Sequence, residues 1–238
     1  MNDQKTDQEE LRMNSHDIEI RDLRFRYASD GFELQLPSLS VRQGEQVAVV
    51  GSSGCGKTTL TYLVSGIHVP TAGSVTVGNA VISGMSDTAR RNFRISNIGF
   101  IFQEFELLEY LRVEENIVLP YFVNASLKFG KEVRTRARSL AESVGLGDKL
   151  RRYPGELSQG EKQRLAICRA LVTDPKIIMA DEPTGNLDAG NTESIMQLIR
   201  SQAIYRGATF VMITHEQGLL GQFDRVIDLE KQVTEGAS

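Results

Sequence analysis

Cysteine is scarce: the 238 residues hold two, Cys55 and Cys168. That is too few for a disulfide framework, and two free thiols in a reducing cytosol are expected. No apolar run approaches the roughly 18 residues that a membrane-spanning helix needs. The opening residues, MNDQKTDQEELRMN, lack the apolar segment of a secretory signal. Basic residues are not in excess, with 27 Lys and Arg against 31 Asp and Glu and a net charge of −4. This excludes a global electrostatic footprint for nucleic acid and confines any such role to a local patch. His16 and His68 have no partners at metal-ligand spacing and are expected at the surface. Internal repeats and low-complexity linkers are absent as well. What remains, 40% hydrophobic and 24% charged, excludes disordered, collagen-like and coiled-coil chains. The length suits one large domain, or one domain with an insert.

Residues 1–17 are polar and are expected to form a frayed tail. From Ile18 to Tyr27 apolar residues alternate, as in a half-buried strand. FELQLPSLSV (32–41) predicts a second strand with Pro37 at an edge or bulge. Gln46–Val50 is a short apolar run ending at Gly51, the pattern of a strand buried on both faces. A helix from Lys57 to about Ser65, a turn at HVPTAG and a return to strand at SVTVGNAVI follow. Another buried run spans Ile98–Phe102. From Glu104 to about Val172 strand signals vanish, predicting a mostly helical insert. Strand character resumes at 176–180, 209–214 and 225–229, with a helix at about 190–205 between the first two. Strands alternating with helices imply an α/β fold with a parallel sheet and crossover helices.

Gly51-Ser52-Ser53-Gly54-Cys55-Gly56-Lys57-Thr58 fits G-x-x-x-x-G-K-[ST] between a buried strand and a helix. Its glycines let the backbone curl so that N–H groups face phosphate oxygens, and the helix N-terminus adds partial positive charge. Lys57 would reach the β- and γ-phosphates and Thr58 would offer its hydroxyl to Mg2+. IIMADEP (177–183) carries a strand to its C-terminal end, where Asp181 and Glu182 stand together. Ligands of open parallel sheets bind at that end. Asp181 suits a magnesium ion and Glu182 could polarise an attacking water. Alternatively, the pair is an acidic turn before Pro183. In LSQGE (157–161), Ser158 and Glu161 form a capping box, opening an amphipathic helix (Leu165, Ile167, Ala170, Leu171) that stops before Pro175. A capped N-terminus beside a glycine is also an anion site, so both readings hold.

Together these segments resemble the nucleotide-binding subunit of ATP-binding-cassette (ABC) transporters, over about residues 18–230. LSQGEKQRLAICRAL looks like that family's signature, and ADEPTGNLD like its second nucleotide motif running into the D-loop. ADEPTGNLD and IGFIFQEFELL are most similar to the lipoprotein-releasing, macrolide-efflux and cell-division group. The resemblance implies a phosphate-loop NTPase core with a parallel sheet, a small antiparallel β subdomain and an inserted helical subdomain (about 104–172), all within one domain at 18–234. It implies ATP and Mg2+ as ligands. Nucleotide contacts fall on Tyr27, on Gly51 through Thr58 and on Thr59, with Tyr27 either stacking on adenine or serving as a strand-edge core residue. Thr58, Gln103 and Asp181 serve the metal. Glu182, His215, Gln103 and Lys57 serve catalysis. Ser158, Gln159, Gly160 and Glu161 serve the nucleotide of a second copy, paired head to tail as a homodimer. Asp188 is either the D-loop aspartate or the cap of the helix from about Ala189. A separate integral membrane permease is implied, with this subunit on the cytoplasmic face of the inner membrane and no nucleic-acid partner.

Two departures stand out. Gln159 replaces the first glycine of the commonest signature, and VIDLEKQ lacks the Asp-Gly turn after the last strand, which puts a final hairpin in doubt. A soluble ABC ATPase acting on nucleic acid or ribosomes is the alternative, although its usual coiled-coil inserts, twin cassettes and basic surfaces are missing. A small-molecule kinase leaves the signature and His215 unexplained. Arg134, Arg136 and Arg138 read as a solvated helical face, the alternative being a lipid or nucleic-acid contact. Glu104–Pro120 holds more apolar residues (Phe105, Leu107, Leu108, Tyr110, Leu111) than one helical face can bury, and by resemblance meets the permease. Its alternative is packing within the helical part. Cys55, at a helix N-terminus beside Lys57, is expected to have a depressed pKa, unless it is a small filler turned inward.

Overall fold

The computed structural model describes residues 16–28 and 31–233, in two compact units: Met1–Arg91 with Ala208–Ser238, and Asn92–Gly207. The expected tail lies outside the described residues up to 15, as does the side chain of His16.

In the first unit, β1 (His16–Arg26), β2 (Glu33–Arg42), β4 (Ala72–Val77) and β5 (Ala80–Val81) form an antiparallel sheet in the order β2-β1-β4-β5. The alternation of β1 is obeyed, with Ile18, Ile20, Leu23 and Phe25 buried. β1 starts two residues before Ile18 because Asp17 is tied down: its carbonyl accepts from Gly78 and its carboxylate from the Thr209 hydroxyl at 2.6 Å. β2 is an edge strand, where the missing N–H of Pro37 is tolerated. A parallel group is built on β3 (Gln46–Val50), flanked by β8 (Thr209–Ile213) and β9 (Arg225–Asp228). Each residue of β8 is buried, and so are the first four of β3, as continuous apolar runs require. Thr209 joins the two groups, since its oxygen also accepts the Gly44 N–H at 2.7 Å. The α1 helix (Lys57–Val64) follows β3 and buries Leu60, Leu63 and Val64.

One helix has no counterpart in the sequence expectations: α2 (Asp87–Asn97), DTARRNFRISN. None of its residues is buried. It is held instead by the Ser86 hydroxyl, which accepts the Ala89 N–H, and by Asp87 pairing with Arg90 and Arg91 one turn on.

In the second unit, β6 (Ile98–Ile101) pairs in parallel with β7 (Ile177–Asp181). Between them come α3 (Val113–Val118), α4 (Pro120–Val123), α5 (Lys131–Ser143) and α6 (Gln159–Leu171), and α7 (Ala189–Arg206) follows β7. Leu165, Ile167, Ala170 and Leu171 of α6 are buried, the face its pattern predicts. The strand β6 lies against α6 through Gly99, where a Cβ would meet the Ala170 carbonyl oxygen at 2.5 Å and Pro175 Cγ at 2.9 Å. Gly99→Ala is therefore expected to destabilise the protein by about 1–3 kcal/mol. Gly84→Ala, with open space at its Cβ, is expected to be near neutral. Denaturant midpoints of the two variants check this.

Candidate nucleotide site

The glycine-rich segment forms the connection from β3 to α1. Gly56 has φ +103° and stands at the helix N-cap, with no side chain capping the exposed N–H groups of α1. Any Cβ there would also press on Phe32 and Leu34 at 3.0 and 3.1 Å. Gly54 opens into empty space. Lys57 is only 7% exposed, and its Nζ donates to the Gly51 and Ser52 carbonyls at 2.8 and 2.7 Å. A buried ammonium resting on two backbone oxygens, beside a helix start with no side-chain cap, is a cradle suited to an anion. Ser52, Ser53 and Thr58 are exposed, while Thr59 is buried.

Tyr27 sits just past β1, and its hydroxyl shares a 3.2 Å hydrogen bond with Thr59 Oγ1 of α1. Its ring stands edge-on to Phe25 and to His68, with centroids at 4.9 and 5.4 Å. His68, expected at the surface, is half-buried, stacked on Phe25 at 5.1 Å and edge-on to Tyr62 at 5.4 Å. His215 is exposed two residues beyond β8. Because Ile213 is level with Val49 in the parallel register, His215 lies at the strand end from which the Gly51 loop leaves.

In the second unit, Ile101 is level with Ala180, so Gln103, Asp181 and Glu182 gather at one end of the β6–β7 pair. The Gln103 side-chain nitrogen lies 3.1 Å from where a Gly185 Cβ would stand, and the Gln103 backbone carbonyl accepts from the Asn186 side chain at 3.1 Å. Glu182 has φ +45°, uncommon for a residue with a Cβ. The turn it opens is closed by Gly185 N–H to the Glu182 carbonyl.

The signature segment is the capping box its spacing predicts. Ser158 accepts the Glu161 N–H and the Glu161 carboxylate accepts the Ser158 N–H at 2.9 Å. Lys149 adds an ion pair to Glu161, and these bonds hold the Glu161 carboxyl down at about 2. Gly160 is buried, and a Cβ there would come within 3.1 Å of Asn191 Oδ1. Asp188 caps α7, accepting from the Asn191 backbone at 3.0 Å and side chain at 2.6 Å, which lowers its carboxyl pKa. Asn191 thus packs against Gly160 while bonding Asp188. Gln163 is a residue the sequence reading missed. It is fully buried on α6 and donates to the Pro183 carbonyl at 2.6 Å, joining the signature helix to the Asp181-Glu182 turn. Its signal was a polar residue on the buried face of an otherwise apolar helix.

Two expectations are corrected. Glu104–Arg112 is a loop, not a helical face. Phe105 and Glu106 have φ of +57° and +52°, their carbonyls held by the Arg169 guanidinium, while buried Asn116 bonds the backbone of Leu108 and Leu111. The solvated face expected of the α5 arginines holds for Arg134 and Arg138, both exposed, with Arg134 over the Phe129 ring and Arg138 paired with Glu114, whereas Arg136 is half-buried and donates to the Val172 carbonyl. Cys55 is not acidified. Burial raises its thiol pKa, with Lys57 pulling the other way and Glu230 and Asp228 adding to the rise. Its sulfur packs so close to Gly51 that a Cβ there would meet it at 2.6 Å. Cys168, wholly buried, is pushed up to about 12. After β9 the chain enters α8 (Leu229–Gln232), so the doubtful final hairpin does not form among the described residues.

A lysine-bearing glycine loop opening an uncapped helix, parallel strands and an Asp-Glu strand end define the class: a phosphate-loop NTPase. The ABC transporter family model matches residues 34–185, and the chain belongs to that family, as an ATP-binding, ATP-hydrolysing subunit. The chain is 42% identical over 193 residues to the lipoprotein-releasing system ATP-binding protein LolD of Chromohalobacter salexigens, covering 81% of each chain. It is 43% identical over 192 residues to an uncharacterized ABC transporter ATP-binding protein of Methanocaldococcus jannaschii, covering 81% of this chain and 84% of that one. Among solved structures, a dimeric ATP-binding cassette bound to ADP and Pi matches with a TM-score of 0.77 and 32% identity, over 89% of this chain and 93% of that one. CbiO1 of Clostridium perfringens, part of an ABC transporter complex, matches with a TM-score of 0.80 and 27% identity, over 93% and 88%.

The Glu161 box has a defined pH window. Its folded pKa lies below the ordinary value of 4.5, so its contribution is complete at neutral pH and is lost as the pH falls through that value toward about 2. Glu161→Gln is expected to melt below wild type at pH 7, with the gap closing below about pH 4. Melting curves across pH 7 to 3 check this.

Proposed function

We propose that this chain energises a separate membrane permease of the lipoprotein-releasing or related exporter kind, working from the cytoplasmic face of the inner membrane. The observation that carries the ATPase half is the Lys57 cradle: a nearly buried ammonium on the Gly51 and Ser52 carbonyls beside an uncapped helix start. The 42% identity to lipoprotein-releasing relatives supports the transport half. No helix among the described residues is long and apolar enough to cross a membrane. Residues 18–234 act as one cassette, with about 104–172 as its helical subdomain.

Each group then has a task. Loop amides and Lys57 take the phosphates, moving Lys57 from its carbonyls to the anion. Tyr27 presents its ring to adenine. Thr58, Gln103 and Asp181 carry the hard oxygen donors that magnesium prefers, and the metal, when bound, supplies charge neutralisation at the phosphates. Glu182 accepts a proton from the attacking water, with Gln103 and His215 orienting that water. Most of this is positioning and electrostatics, as phosphoryl transfer requires. Ser158, Gln159 and Gly160 face the nucleotide of a second copy, head to tail, with Asp188 near the contact between copies.

Glu182→Gln keeps the shape and removes the base. Turnover is expected to fall about 10²–10⁴-fold while Mg-ATP binding survives, so that the variant accumulates as an ATP-bound dimer. Wild-type turnover would remove Glu182 from the mechanism. Lys57→Ala is expected to lose nucleotide binding itself. Turnover, binding and mass in solution distinguish these outcomes.

The permease is expected to dock on the loop at 104–112 and the groove beside it. That groove, of about 560 Å³, has Leu111, Val118, Leu119, Phe122 and Phe129 among its walls. Tyr110 and Phe122 are 75% and 65% exposed, unusual for aromatic rings unless covered by a partner. Tyr110→Asp is expected to lose co-purification with its integral membrane partner from detergent-solubilised membranes, at an unchanged melting temperature. Retained co-purification would place the contact elsewhere.

A further inference from the structure

The C-terminal part of the first unit reaches the phosphate loop. β9 ends at Asp228, and the Leu229 side chain that follows is fully buried. This anchor sets the direction of Glu230, whose Oε1 accepts the Ser52 N–H at 2.7 Å. The Ser52 hydroxyl is a second donor, and these two bonds lower the carboxyl pKa. Leu229 Cβ and Glu230 Cγ each lie 3.8 Å from where a Gly51 Cβ would stand. Gly51 and Ser52 are the residues whose carbonyls hold Lys57.

We propose that Glu230 is a positioning residue for ATP binding: it fixes the Gly51-Ser52 end of the phosphate loop, and with it the resting place of Lys57, before nucleotide arrives. The proposal rests on Gly51–Thr58 being the phosphate cradle. A loop with glycine at three of eight positions is costly to order, and order established on folding is not charged against ligand affinity. A carboxylate receiving a backbone N–H makes a charge-assisted bond, stronger than a neutral one. Its side of the loop matters too. Glu230 packs at Gly51, whereas Gly54 faces open space, so an incoming phosphate has room without displacing the carboxylate. The Cys55 sulfur, seated against Gly51, fills the same side.

Three variants of the full chain test this. Glu230 is exposed, so its replacement leaves the core intact. Glu230→Ala is expected to raise KM for Mg-ATP by roughly tenfold or more, as both Ser52 bonds to the carboxylate are lost, with kcat changed less than about twofold. Glu230→Gln keeps an acceptor oxygen at the same reach but loses the charge, and is expected to fall between wild type and Ala. Glu230→Asp keeps the charge but shortens the reach, and is expected to follow Ala. Amide exchange at Ser52 in the nucleotide-free protein is expected to speed up most in Ala and Asp and least in Gln. A wild-type KM for Glu230→Ala overturns the proposal. A lowered KM also overturns it, by making the carboxylate a competitor of phosphate, and so does a Gln variant as impaired as Ala. Lys57→Ala, run beside them, separates the two ideas: if it binds Mg-ATP normally, the cradle reading itself has failed.

Discussion

The first unit is organised by a helix start that lacks a cap of its own. At the head of α1, Gly56 supplies neither a side-chain oxygen nor a Cβ, leaving the first N–H groups without an intrahelical partner. Such a terminus is normally costly unless satisfied. Here the surrounding parts provide for an anion: β3 delivers the chain to the spot, Lys57 waits on neighbouring carbonyls, and Thr59 links the helix to Tyr27. The buried strands β3 and β8 supply the rigidity. Without that framework, a loop this rich in glycine would sample many conformations unsuited to phosphate.

The second unit solves a different problem, which is holding polar turns in unusual conformations. Phe105, Glu106 and Glu182 all have positive φ, a backbone region with a cost of order 1–3 kcal/mol per non-glycine residue. Each is secured by α6 or by a turn next to it. Arg169 holds the carbonyls of the first two, and Gln163 holds Pro183, one residue past Glu182. The helix that presents the signature at its N-terminus therefore also grips the loops after β6 and β7. A rotation of α6 would be felt at both, so the segment at its N-terminus and the Asp181-Glu182 turn share a mechanical element.

Much of this was legible in the sequence, and the misses have physical causes. Alternation located β1, continuous apolar runs located β3, β7 and β8, and S-x-x-E spacing located the start of α6. The helix α2 escaped because periodicity senses buried faces and α2 buries none of its residues. The apolar stretch after Gln103 looked helical because composition does not reveal that Asn116 and Arg169, from elsewhere in the chain, bond its backbone. For Cys55, local charge pointed one way, but burial and two distant carboxylates, Glu230 and Asp228, outweigh Lys57. Roles for Lys57, Thr58, Asp181 and Glu182 came from motif spacing, and those for Tyr27, Gln103, His215 and Asp188 from the family resemblance, whereas the supports (Gln163, Asn191, Glu230) depend on contacts between distant segments that spacing does not encode.

The pairing of β3 with β8 and β9 carries a consequence for the order of events during synthesis. Val49 is bonded to segments at Ile213 and Ile227, and Ser52 to a carboxylate 178 residues downstream. At roughly 5–20 residues per second, those partners leave the ribosome some 10–35 s after the phosphate loop does. During that interval the apolar strand β3 lacks both parallel neighbours, and the nascent chain carries the phosphate loop in unfinished form. The phosphate loop is therefore made well before the strands and the carboxylate that complete its surroundings.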